Sequence, residues 1–449
     1  MNFKELYFNK YRDEALDLLK KLVSYKSVLD EYKEGDEMPF GKGAYDCLNF
    51  ILNYAKKDGF KIYNSSNYAG HIEFGDNNTT LGILAHLDVV PVDGQVWESD
   101  PFTLSIRDNK MYGRGVADDK GPVVASYIVL KMLKDLGFKP NKKIRLILGC
   151  DEESGSRCIE HYFKEMPVPD MSFSPDADFP GIFGEKGNMS YDILFDSDNV
   201  ITSFDSGSRY NIVPANAYAT LNIDLKEEFI KYLKDMNLDG EIKDNKYYVY
   251  GKSAHAMCPS KGINAATKLM DFIAKYSDSK LAKFVNKYFS DDTEGKKIGY
   301  NDYDPLMLDL TSNFALVKLD SKNGKIGVNC RLPKDSDINL IKDKVSKITK
   351  EYGYQFNVLH SVGIHYVDPN SFLMSTLYNS YKKITNDTIN KPQTIGGGTY
   401  AHEFKDAVAF GPLFPGREDV CHIANEYMYI EDFDKMCEIY FDALYELTK

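Results

Sequence analysis

Apolar residues follow two rhythms over the first 180 positions: short unbroken runs, as in LGILA (81–85) and KIRLILG (143–149), and longer stretches at helical spacing. The unbroken runs predict buried strands, because a strand covered on both faces carries no polar alternation. Between those two runs, Val124, Ala125, Ile128, Val129, Met132, Leu133 and Leu136 recur at helical period behind Pro122, which predicts a packed helix over 122–136. Such alternation predicts an α/β layer fold with a central, mostly parallel sheet flanked by helices. From about 188 the texture changes. Strand-like NAYATLNIDL, NKYYVYG and GKIGVNC alternate with helical segments such as NAATKLMDFIAKY, an α+β pattern. After about 382 the first texture returns, ending in an amphipathic helix over 430–447 whose apolar face carries Phe433, Met436, Cys437, Tyr440, Phe441 and Leu444. The pattern predicts one domain built from 1–187 and 382–449, with an α+β domain at 188–381 inserted into it.

Length supports this division, since 449 residues exceed the roughly 250–300 at which one core stops growing. A hydrophobic fraction of 43% with 27% charged residues is globular composition. No apolar run approaches the ~20 residues of a membrane helix, so no membrane partner is expected. The net charge of −12 argues against nucleic acid, whose phosphates call for clustered basic side chains. The N-terminal segment mixes acids and bases at helical spacing and lacks the apolar core of a secretory signal, which favours the cytoplasm. Seven cysteines, an odd number with no CxxC pair, read as reduced, buried thiols rather than a disulfide framework.

Candidate chemistry sits at the strand ends, where open α/β sheets form their ligand crevice. AHLDVV places His86 and Asp88 just past the first strand. GRGVADDKGP places Asp118 and Asp119 before the helix, LILGCDEESGS places Asp151, Glu152 and Glu153 past the second strand, and SPDADFP adds Asp176 and Asp178. Each motif also has an ordinary reading as a turn acid, a helix N-cap or a surface histidine. Acids gathered in one crevice repel one another unless they spread into solvent or hold a cation, and their recurrence at successive strand ends favours a cation.

Taken in order, HLDVVP, GRGVADDKGP, DEESGS, SPDADFP, GKSAHAMCPSKGINA, GGGTYAHEF and CHIANEY resemble the dinuclear metallopeptidases related to carboxypeptidase G and aminoacylase. Within that superfamily the chain is most similar to the bacterial Xaa-His, carnosine-type dipeptidases of the dipeptidase V branch. The resemblance implies two divalent ions bridged by Asp118, one completed by His86 and Asp176, the other by Glu153 and His422. Zinc is the first expectation, with manganese or cobalt also suited. It further implies Glu152 as general base and Asp88 as the group orienting His86. His255 of GKSAHAM would be an oxyanion donor on a lid formed by the inserted domain. Asn211, Arg331 and the GGGTYA loop, including Gly397 and Thr399, would meet a small peptide substrate.

The function implied is hydrolysis of unblocked dipeptides by a monomer. An N-acyl-amino-acid or N-succinyl deacylase is the alternative on the same scaffold, and a non-catalytic binding module a remote one. His402 stands where the close dipeptidases carry arginine, which bears on specificity.

Overall fold

The computed structural model describes residues 3–449, which divide into two compact units, 3–184 with Tyr366–Gln393 and Gly398–Lys449, and Glu185–His365 with Thr394–Gly397. In the first unit the apolar runs form the fully buried strand Thr80–His86 and the strand Lys143–Gly149, buried in all but its first residue. They pair in parallel, Leu81 opposite Ile144 and His86 opposite Gly149. Met171–Ser174 and Ala407–Ala409 extend this parallel centre. Towards the other edge, Ala69–Phe74 and Lys61–Ser65 run antiparallel, so the sheet is mixed. Three residues join those two strands, a link too short for the crossover that parallel pairing demands.

The helix Lys120–Asp135 is buried along nearly its whole length and packs on the C-terminal helix Ile430–Thr448. Gly121 is required at its start: a Cβ there would lie 2.1 Å from the Val116 carbonyl oxygen. The boundary expected at 381/382 falls inside the helix Phe372–Thr385, which belongs to the first unit. That helix buries Leu373, Met374, Leu377 and Tyr381 in the first unit's core, and Tyr381 stacks on Phe179 at 5.5 Å.

The second unit is built on an eight-stranded antiparallel sheet with Gly324–Leu332 between Thr311–Leu319 and Gly187–Phe195. Its tightest hairpin joins Asp239–Lys243 to Lys246–Tyr250 through Asp244 and Asn245, both at positive φ, as a two-residue turn with right-handed strand twist requires. Helices including Ala265–Tyr276 cover the apolar face, Asn264 capping that helix by accepting from the Ala266 and Thr267 amides. All seven cysteines are free. Five are buried, but Cys258 is exposed and Cys421 half-buried, departing from the uniform burial expected. No helix among the described residues is long and apolar enough to cross a membrane.

Candidate metal centre and active site

Three strand ends and one late loop converge on Asp118. His86 closes the strand Thr80–His86, and its Nε2 lies 2.9 Å from Asp118 Oδ1 and 3.7 Å from Asp176 Oδ2. On the other side of the same carboxylate, His422 Nε2 lies 2.9 Å from Asp118 Oδ2 and 3.0 Å from Glu153 Oε1. Two triads result, His86–Asp118–Asp176 and Asp118–Glu153–His422, each with ligand atoms within 4.8 Å of one another. Asp118 belongs to both.

The geometry fits cations. His86 Nε2 and Asp118 Oδ1 are buried and only 2.9 Å apart, yet neither has an aligned hydrogen-bond partner. Buried polar atoms of this kind ordinarily have partners, and a metal ion supplies one to both. Charge points the same way: burial pushes the carboxyls of Asp176 and Glu152 up, and that of Glu153 to about 7, with neighbouring carboxylates adding to each. Burial opposes the His86 cation, but Asp118, Asp176 and Asp88 outweigh it and raise its pKa well above the ordinary value. Asp118 and Glu153 together raise His422 to about 11. A divalent cation would relieve the same accumulation of negative charge.

The surrounding turns are fixed by main-chain contacts. The carboxylate of Asp88 accepts from the amides of Glu152 at 3.1 Å and Glu153 at 3.0 Å, tying the first strand end to the second. His86 Nδ1 instead lies 3.0 Å from the main-chain oxygen of Asp88, and 3.5 Å from its carboxylate. Asp88 thus ties the two turns together with its carboxylate and meets His86 Nδ1 first through its main-chain oxygen, with the carboxylate at ion-pair distance from the same nitrogen. Asp151 pairs with Arg157, closing the turn that carries Glu152 and Glu153. Asp119 accepts from the His86 amide at 3.0 Å and lies in neither triad. Asp178 also stands outside them, accepting from Gln393. Cys421 contributes to neither, and burial pushes its thiol up.

Thr399 caps the short turn Tyr400–Glu403, which carries His402, by accepting from the Ala401 amide. Tyr400 is buried, its hydroxyl 3.0 Å from Cys158 Sγ and its ring edge-on to His86.

The second unit gathers Asn211, His255, Arg331 and Gly397. Ile212 pairs with His255 as an isolated bridge, and the Ala256 amide donates to Asn211 O at 2.9 Å. Asn313 donates to the carbonyls of Tyr210 and Ile212, on either side of Asn211. Thr311, opposite Arg331 in the sheet, donates to Ala256 O. Arg331 donates to Asn329 Oδ1 at 3.1 Å and to Gly396 O at 2.8 Å, beside Gly397. His255 Nδ1 accepts from the Met257 amide at 3.1 Å, which leaves the proton on Nε2. Partial burial, then the Arg331 cation, lower the His255 pKa and favour that neutral form.

Glu426, in CHIANEY, is a residue for which the sequence suggests no role. It is wholly buried and accepts from the amides of Gly115, Ala117 and Asp118. A glutamate in a loop carries no sequence signal that its carboxylate gathers amides some 310 residues earlier.

Relatives span the whole chain. "Putative dipeptidase SH1171" of Staphylococcus haemolyticus (strain JCSC1435) is 36% identical over 460 residues, covering 98% of each chain. The structure of human carnosine dipeptidase 1 is similar in fold at TM-score 0.60 and 14% identity, covering 98% of this chain and 97% of its own. YXEP of Bacillus subtilis, described as a dinuclear metal binding peptidase, matches at TM-score 0.51 and 9% identity, covering 98% of both. The family described as Peptidase family M20/M25/M40 matches residues 82–446, and with a relative of this identity across its length, the chain belongs to that peptidase family.

Proposed function

We propose that the protein is a metal-dependent dipeptidase acting on unblocked dipeptides, with Glu152 as general base. The carrying observation is the pair of triads that share Asp118. His86, Asp118 and Asp176 would hold one ion, and Asp118, Glu153 and His422 the other. A nitrogen and oxygen donor set without thiolate suits zinc first, and manganese or cobalt as well. Bound there, divalent cations supply Lewis acidity that polarises a peptide carbonyl and acidifies water.

Glu152 supplies proton transfer. Burial first, then Asp176 and Glu153, push its carboxyl up in the metal-free chain, and beside the triads it would accept a proton from attacking water and return it to the leaving amine. Asp88 holds the main chain on which that carboxyl stands. His255, neutral with its proton on Nε2, can donate to the developing oxyanion without a change of charge.

Arg331 is only 8% exposed and faces no carboxylate among the described residues, a costly state for a guanidinium that a substrate's terminal carboxylate would relieve. Asn211, Gly397 and Thr399 complete the proposed substrate contacts. The dipeptidase name carried by an end-to-end relative supports a small peptide substrate, and a cytoplasmic monomer completes the reading.

Hydrolysis of a dipeptide panel against N-acetyl and N-succinyl amino acids tests the substrate class. Turnover of free dipeptides is expected; turnover of the acylated amino acids alone would replace the reading with a deacylase.

A further inference from the structure

We infer that Glu426 is a positioning residue that sets Asp118 and His422 against each other, acting through Arg114 and Gln95. The loop between Tyr112 and Lys120 contains no helix or strand, so its amides need partners from elsewhere. Glu426 provides them for Gly113, Gly115, Ala117 and Asp118. Its Oε1 accepts from Gly115 at 3.1 Å, Ala117 at 2.9 Å and Asp118 at 3.3 Å, while Oε2 accepts from Gly115 at 3.1 Å and Arg114 Nη1 at 2.7 Å. The Gly113 amide donates to the Glu426 carbonyl. Arg114, 1% exposed, continues the chain by donating from Nη2 to Gln95 Oε1 at 2.8 Å, and Gln95 Nε2 donates to His422 O at 2.9 Å.

One run of hydrogen bonds, charge-assisted as far as Gln95, therefore leads from the Asp118 amide to the His422 carbonyl. Its weight falls on a residue that needs it: His422 has φ +65°, a backbone region that residues other than glycine seldom occupy. The donors converging on Glu426 also explain why a carboxylate is present, since glutamine offers one acceptor oxygen where glutamate offers two. Glu426 stands four residues beyond His422, so the same loop both bears a ligand and fixes the opposing one.

This inference rests on the two-metal reading, and zinc titration of the metal-free protein against a chromophoric chelator separates the two. Wild type binding no zinc would defeat that reading and the inference with it; wild type binding two leaves the inference to the variants. Glu426→Gln should retain its circular dichroism and weaken both zinc sites roughly 10–100-fold, the usual effect of removing a group that orients metal ligands. The double variant R114Q/E426Q, which removes both buried charges, should weaken them equally. Gln95→Leu, altering a partly exposed side chain, should weaken one site of the two. Glu14→Gln, which breaks an ion pair with Lys131 elsewhere in the same unit, should lower Tm and leave zinc affinity unchanged. Wild-type affinities in the Glu426 variants, or an equal loss in Glu14→Gln, would overturn the inference. If neither Glu426 variant folds, Gln95→Leu decides: loss at one site supports it, and unchanged or uniformly weakened binding overturns it.

Discussion

His422 and Asp118 are separated by 304 positions, yet His422 Nε2 lies 2.9 Å from Asp118 Oδ2. His422 reaches only the triad that also contains Glu153, whereas Asp118 serves both. His422→Ala should therefore lower metal content from about two ions per chain to about one, with turnover largely lost because a two-metal site needs both. Elemental analysis of the purified variant checks this; two retained ions would remove His422 from the ligand set.

Glu152 lies outside both triads while its carboxyl sits among them electrostatically. Glu152→Gln should keep metal content unchanged and reduce kcat by ~10²–10⁴, the usual worth of a general base. Parallel metal and rate measurements separate the two effects. Retained turnover would exclude Glu152 from proton transfer.

Arg331 donates to Asn329 and Gly396 but pairs with no carboxylate among the described residues. Arg331→Met should reduce kcat/KM for free dipeptides roughly 10–100-fold, corresponding to a lost charge-assisted hydrogen bond. Dipeptide amides, which lack the terminal charge, should be affected much less. Equal losses for both substrates would count against recognition of that carboxylate.

Much of this arrangement was legible from residue order. Unbroken apolar runs located Thr80–His86 and Lys143–Gly149, and His86 at the end of the first and Glu153 just past the second are among the residues the fold gathers. Contacts between side chain and distant main chain were not legible. Nothing local to Asp88 indicates that its carboxylate binds amides 64 and 65 residues later, and nothing local to Glu426 indicates its partners near Asp118. The position of the helix Phe372–Thr385 was equally hidden, because its apolar face suits either core and only packing on Phe179 and its neighbours selects one.

Acid stability offers a test away from the metal centre. His71 is buried beside Tyr162, whose hydroxyl lies 2.6 Å from Nδ1, and burial, then Arg145 and Lys143, lower its pKa from 6.5 to about 3. The unfolded chain therefore binds one more proton between those values, so this contribution is intact above pH 6.5 and is lost as pH falls towards 3. The slope is at most ~1.4 kcal/mol per pH unit. His71→Leu should be less stable at pH 7 through the lost Tyr162 hydrogen bond, but its stability should fall less steeply between pH 6.5 and 4. Urea unfolding across that range checks it, and parallel slopes for the two proteins would refute a neutral His71.

The most direct measurement is elemental analysis of protein purified without chelator, paired with dipeptide hydrolysis before and after metal depletion and after return of zinc or manganese. About two ions per chain, with cleavage lost on depletion and restored on return, is the expected result. Dipeptide cleavage that persists without metal, or a chain that binds no ion, would contradict the two-metal reading.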